Sequence, residues 1–156
     1  MKLRCCPCVN LPTGGRFLIP TVGKLRAVVI EQKLDVRDIA DRYFAAWRTR
    51  DPDAIASLHT EDTRFWMHAG TQPVVGRTAA RAAFAEIFAR FPDFAFEIYR
   101  VRYGTDHWVL DWALISGGRR FDCRDLVDLS PDGLVVRKDS FVDAGQIPAA
   151  AGGAGR

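Results

Sequence analysis

The chain has 156 residues, 48% hydrophobic and 26% charged, as expected for one soluble domain large enough to bury a core without disulfides or metal. Its net charge of +3 does not mark a nucleic-acid binder. Lys2, Arg4, Arg16, Lys24 and Arg26 stand in the first 26 positions with no acid among them, so 17 of the 22 basic residues face all 19 acids in the remainder. No basic face is left to track phosphates. No run approaches the roughly 18 apolar residues of a membrane span, so neither nucleic acid nor membrane is an expected partner.

Residues 1–33 are rich in Gly, Pro and Cys and lack a period; they read as a flexible or misassigned leader. Gly23–Gln32 is the one segment there that could form a short element. Lys2 and Arg4 are followed by no apolar stretch of the kind a signal peptide needs. Cys5, Cys6 and Cys8 could hold a metal, but the nearest histidine is His59, far outside zinc-like spacing, so no metal is expected. Only Cys123 lies in the domain, 34–147. That excludes a disulfide framework and fits a reducing, cytoplasmic compartment.

Asp35 is placed to N-cap a first helix carrying Ile39, Ala40, Tyr43, Phe44 and Trp47 at helical spacing. Asp51-Pro52-Asp53 stops it and starts a short second helix through Ile55, Leu58 and His59. Thr63–His68 reads as a strand and Ala69–Gly76 as a loop. A third helix, expected to be capped by Thr78, carries Ala80, Ala83, Phe84, Ile87, Phe88 and Phe91, and Pro92 ends it. Four strands follow, Phe94–Tyr103, His107–Ile115, Arg120–Leu129 and Leu134–Val142, separated by turn signals as in an antiparallel meander. Residues 148–156 are Ala/Gly-rich and read as a disordered tail. Helices ahead of a meander predict an α+β fold, a cone-shaped, curved antiparallel sheet wrapped around the helices with a cavity between the layers.

Alternation within the strands picks out the candidate site. Asp125 shares a face with Phe121, Cys123, Val127 and Leu129, and an acid among apolar neighbours must be neutral or paired. It is a candidate general acid or hydrogen-bond donor, or a structural acid satisfied by Arg or backbone groups. Tyr43 lies in the helix stripe, either as a hydroxyl donor to a ligand or as a core aromatic satisfied locally. Phe65 and Met67 share a strand face that suits an apolar pocket wall. His68 is a possible base, although alternation puts it on the opposite face with Arg64 and Trp66. On the strand of Asp111 and Trp112 either face could be inside. Ser140 points inward and Asp139 outward to solvent, unless a bulge turns it. Phe84, from the third helix, completes the expected pocket.

Several short runs together resemble the nuclear transport factor 2-like superfamily, in particular its SnoaL-like polyketide cyclase branch and the ketosteroid isomerases. They are Arg42-Tyr43-Phe44-Ala45-Ala46-Trp47, Asp51-Pro52-Asp53-Ala54-Ile55, Glu61-Asp62-Thr63, Val75-Gly76-Arg77, Asp132-Gly133-Leu134-Val135-Val136-Arg137 and Asp139-Ser140-Phe141-Val142-Asp143. The resemblance spans about Val36 to Gln146 and implies a homodimer of pocket-bearing domains. It puts Asp125 and Tyr43 at the two oxyanion donors of the isomerases, aimed at one ligand oxygen. It also puts Met67 where those enzymes carry their catalytic Asp, and Val109 where epoxide-hydrolase relatives carry an Arg near Asp111. The expected function is binding of a small apolar molecule, with cofactor-free isomerase, cyclase or dehydratase chemistry. The alternative is a non-catalytic ligand-binding or dimerisation module.

Overall fold

The computed structural model describes residues 34–143; the expected leader with Cys5, Cys6 and Cys8, the Gly23–Gln32 segment and the tail at 148–156 lie outside the described residues. Helix α1 (Val36–Thr49) opens on Asp35, whose carboxylate accepts from the Asp38 amide at 3.1 Å. It buries Ala40, Tyr43, Phe44 and Trp47 of the stripe that the spacing predicts and Val36 besides, while Ile39 is half-buried. Asp51 caps α2 (Pro52–Ala56) by accepting from the Asp53 amide at 2.9 Å. This helix is shorter than expected. The Leu58 carbonyl already accepts from the Val135 amide of the last strand at 2.9 Å, and His59 begins β1 (His59–Met67).

Within the expected loop, β2 (Val74–Val75) pairs with Phe65 and Arg64 of β1. Helix α3 (Arg77–Arg90) follows directly. Its cap is Gly76, not Thr78: a glycine at φ 96 lets the chain turn from strand into helix without a side-chain bond. Ala80, Phe84, Ile87 and Phe88 of α3 are buried. The meander is β3 (Ala95–Tyr103), β4 (His107–Ser116), β5 (Arg119–Leu129) and β6 (Val135–Val142).

The strand order is β2-β1-β6-β5-β4-β3. All neighbours are antiparallel except β1 and β6, which run parallel, so the sheet is mixed at that seam. A parallel pair needs a long crossover, and here everything from β2 to β5 serves as one. Helix α1 lies against β3 and β4, and α3 against β1 and β2. The helix-covered face of β4 carries Trp108, Leu110, Trp112 and Leu114, which settles the choice of face on that strand. On β5 the covered residues are Phe121, Cys123, Asp125, Val127 and Leu129. A register shift where Leu129 pairs with Val135 turns Val135 inward in place of Leu134 and Val136; beyond it Lys138 and Ser140 point inward.

Candidate functional site

Strand pairing sets two rows of side chains under the helices. In one row Phe65, Lys138 and Val127 lie side by side; in the next come Met67, Ser140, Asp125 and Leu110. Asp125 and Lys138 are therefore diagonal neighbours across β5 and β6, within side-chain reach. Above these rows is an apolar cavity of about 540 Å³, its open mouth included. Met67, Phe94, Leu110 and Trp112 contribute its walls, and Tyr43 and Trp47 of α1 cover it. Among the described residues Lys138 is the single charged one of the lining.

Lys138 donates through Nζ to Asp125 Oδ2, and the two side chains are only 5% and 3% exposed. Its ammonium also sits 5.8 Å from the ring centre of Tyr43 and 5.4 Å from that of Trp47, within cation–π range. Two aromatic faces and one carboxylate thus replace the water that the cation gives up. Asp125 itself is not part of the lining; its Oδ1 is buried and has no hydrogen-bond partner among the described residues.

Tyr43 uses its hydroxyl on a buried chain. The hydroxyl lies 3.0 Å from His59 Nε2, and His59 Nδ1 lies 2.9 Å from Thr63 Oγ1. Thr63 donates its one proton to the Val135 carbonyl at 3.0 Å. The directions follow from that last bond. Thr63 accepts from Nδ1–H of His59, and Nε2 accepts from the Tyr43 O–H. Burial, with the charges of Lys138 and Arg77 added, pushes His59 down to about 3, so the ring is neutral near pH 7. Burial likewise holds the Tyr43 hydroxyl above its ordinary range, with the Asp125 charge assisting, and pushes the Cys123 thiol up to about 12.

The family model of the SnoaL-like domain matches residues 40–138, which run from α1 to the buried lysine. The chain belongs to this family. No curated protein sequence matches it. Among solved structures this SnoaL-like domain is similar to a putative SnoaL-like polyketide cyclase from Jannaschia sp. CCS1. That match has 23% identity, covers 69% of this chain and 85% of the other, and has a TM-score of 0.61. A putative ketosteroid isomerase from Kribbella flavida DSM 17836 is 22% identical over 73% of this chain and 82% of its own, with a TM-score of 0.61. SalBIII, an epoxide hydrolase/cyclase-like enzyme in pyran ring formation of the polyether salinomycin, is 19% identical, covering 75% and 97%, with a TM-score of 0.63. At these identities the likeness is one of fold.

Of the residues singled out in the sequence, Tyr43, Phe65, Met67, Trp112 and Ser140 line the SnoaL-like cavity together. Phe84 stands one layer back, its ring 5.2 Å from that of Phe65. The expected pair of donors at Asp125 and Tyr43 is replaced by a different arrangement. Asp125 accepts from Lys138, and the Tyr43 hydroxyl donates its hydrogen bond to His59. Asp111 does not reach the cavity. It lies on the opposite face of the sheet, bonded to Arg100 at 2.9 Å and Arg124 at 2.6 Å, because β4 turns its even-numbered residues inward.

His68 is also outside the cavity lining, stacked between Trp66 and Phe141 with ring centres 3.7 and 4.1 Å away. Its Nε2 lies 2.9 Å from Asp139 Oδ1. Asp139 keeps the expected outer face but is only 1% exposed, because His68 and Arg137 close over it. Burial opposes its charge; Arg137 and His68 outweigh that and hold it below the usual carboxylate range. Lys138 and His59 are the site residues that the sequence reading missed. Lys138 had a signal, the same parity as Ser140 on one strand. At His59 the signal is obscured because its spacing continues that of the short second helix.

Proposed function

We propose that this SnoaL-like domain binds a small, largely apolar carbonyl compound, with the carbonyl oxygen docked on the Lys138 ammonium. The observation that carries the reading is one buried cation lining an otherwise apolar cavity. A ligand oxygen that gains negative charge, as in an enolate, meets a fixed positive group at low dielectric, the condition under which such stabilisation is largest. The chemistry such a site supports is cofactor-free proton transfer, of isomerase, cyclase or dehydratase type. One observation favours a second reading, a non-catalytic binder. Among the described residues the lining holds no carboxylate or imidazole to take a proton, and the resemblance puts Met67 of that lining where the isomerases carry their catalytic Asp. A cytoplasmic setting suits the free, buried thiol of Cys123, and a homodimer is part of the proposal.

The two readings separate with 2-cyclohexenone in D2O. Binding is followed by the fluorescence of Trp47 and Trp112, and exchange at the carbon next to the carbonyl by NMR. The catalytic reading expects binding and protein-dependent deuteration, both reduced in Lys138→Arg, whose bulkier guanidinium cannot take the same place. Binding without exchange leaves the binder. No saturable binding of enones or phenols removes the proposal. Sedimentation of the full chain reads the homodimer.

A further inference from the structure

Residues 34–143 contain fourteen arginines and one lysine, and that lysine is Lys138. On the outer face of the sheet Asp111 and Glu97 take arginines as their partners, Arg100 and Arg124 on the first and Arg120 on the second. An ion pair alone does not call for lysine. Lysine differs from arginine in that it can surrender a proton and act as a nucleophile, above all when desolvated in an apolar site. Lys138 meets that condition: it is 4% exposed, lines the cavity, and touches a group able to relieve it of a proton, Asp125.

We propose that Lys138 forms an imine with a small apolar aldehyde or ketone in the cavity, with Asp125 carrying the protons. The inference rests on the carbonyl-binding reading above. A proton first passes from Nζ to Asp125 Oδ2, which turns a buried ion pair into two neutral groups. The Nζ lone pair then forms the N–C bond while the C=O π electrons move to oxygen. One proton shifts from nitrogen to that oxygen to give the carbinolamine. Asp125 returns its proton to the hydroxyl, the C–O bond breaks, water leaves, and the nitrogen lone pair closes C=N. The product is an iminium with one N–H beside the Asp125 carboxylate. Three protons on nitrogen have become one on nitrogen and two in water, with no oxidation or reduction. Asp125 Oδ1 is buried as well and has no hydrogen-bond partner among the described residues.

The test uses the full chain with trans-cinnamaldehyde and sodium cyanoborohydride, whose hydride reduces an imine to a stable amine. Peptide mapping then locates the adduct. Lys2, Lys24 and Lys33 are the other lysines and serve as internal references. The expected result is labelling at Lys138 roughly tenfold or more faster than at these, because a held carbonyl reacts as an intramolecular partner. Asp125→Asn should slow labelling at Lys138 and leave the reference lysines unchanged. Saturable quenching of tryptophan fluorescence without an adduct at Lys138 overturns the imine and leaves the binding reading standing. Neither quenching nor adduct overturns both. Because the wild-type map decides the matter, the result does not depend on a Lys138 variant folding.

Discussion

The two faces of the sheet hold the same chemical pairing in different surroundings. On the covered face Asp125 meets Lys138, with both side chains at or below 5% exposure. On the outer face Asp111 meets Arg100 and Arg124, whose side chains are 54% and 62% exposed. Each acid sits on a central strand, and each finds its cation across the ladder. Water does the rest on the outside: it screens the pair and solvates either partner if the other is lost. Inside there is no such reserve. The inner pair therefore matters through what is left behind when half of it goes, and the outer pair through little more than its geometry.

The largest expected effect follows directly. Lys138→Met removes the cation and keeps most of the volume, leaving the Asp125 carboxylate buried and unpaired. The expected loss is about 3–5 kcal/mol of unfolding free energy, the usual cost of breaking a buried pair from one side. Adding Asp125→Leu to the same protein should recover most of it, since two apolar groups need no partner. Urea unfolding of the two single variants and the double gives the cycle. Additive losses would show that the two residues do not act as a pair, which would remove the basis of the site as described.

A second way to sharpen the contrast is pH. His59 is fully buried and neutral, with its folded value depressed to about 3. An unfolded histidine takes up a proton near pH 6.5, so between those values the unfolded state binds one proton more than the folded state. Stability contributed by the neutral ring is thus complete above about 6.5 and falls as the pH drops towards 3, by up to ~1.4 kcal/mol per pH unit. Denaturant midpoints measured from pH 7 to pH 4.5 should show this slope, and His59→Gln should flatten it. The Asp111 pair on the outer face has no counterpart in this window. Arg100 and Arg124 hold Asp111 below the usual carboxylate range, so its contribution is lost only in stronger acid. An unchanged slope in His59→Gln would mean that another group titrates.

Much of the fold was legible because it rests on periodicity. The stripe from Ala40 to Trp47, the series Ala80–Phe88 and the meander all follow from which side chains must leave water. Two things were not legible from periodicity. The parallel seam between β1 and β6 depends on contacts across more than seventy residues, which no local pattern encodes. The site depends on pairing between strands: alternation places Asp125 inward but cannot say that Lys138 lies diagonally beside it, or that His59 stands beneath Tyr43. Met67 and Ser140 were legible because each needed only its own strand's face. Asp111 was not, since β4 is apolar on both sides and β3 and β5 decide which side carries the arginines.

The smallest expected effect comes from Asp111→Asn. It removes a carboxylate gripped by two guanidinium groups, a geometry that on paper looks stronger than the single contact of Lys138. Both arginines, however, keep much of their surface in water, and Asn retains one acceptor for them. Exposed pairs of this kind contribute about 0–1 kcal/mol. The change in urea midpoint should therefore be slight, and should shrink further in high salt, where the wild-type pair is itself screened. A loss approaching that of Lys138→Met, insensitive to salt, would mean that the outer face is covered by something in solution. In that case the dielectric around Asp111 would resemble that around Asp125, and the contrast between the faces would be one between two buried surfaces.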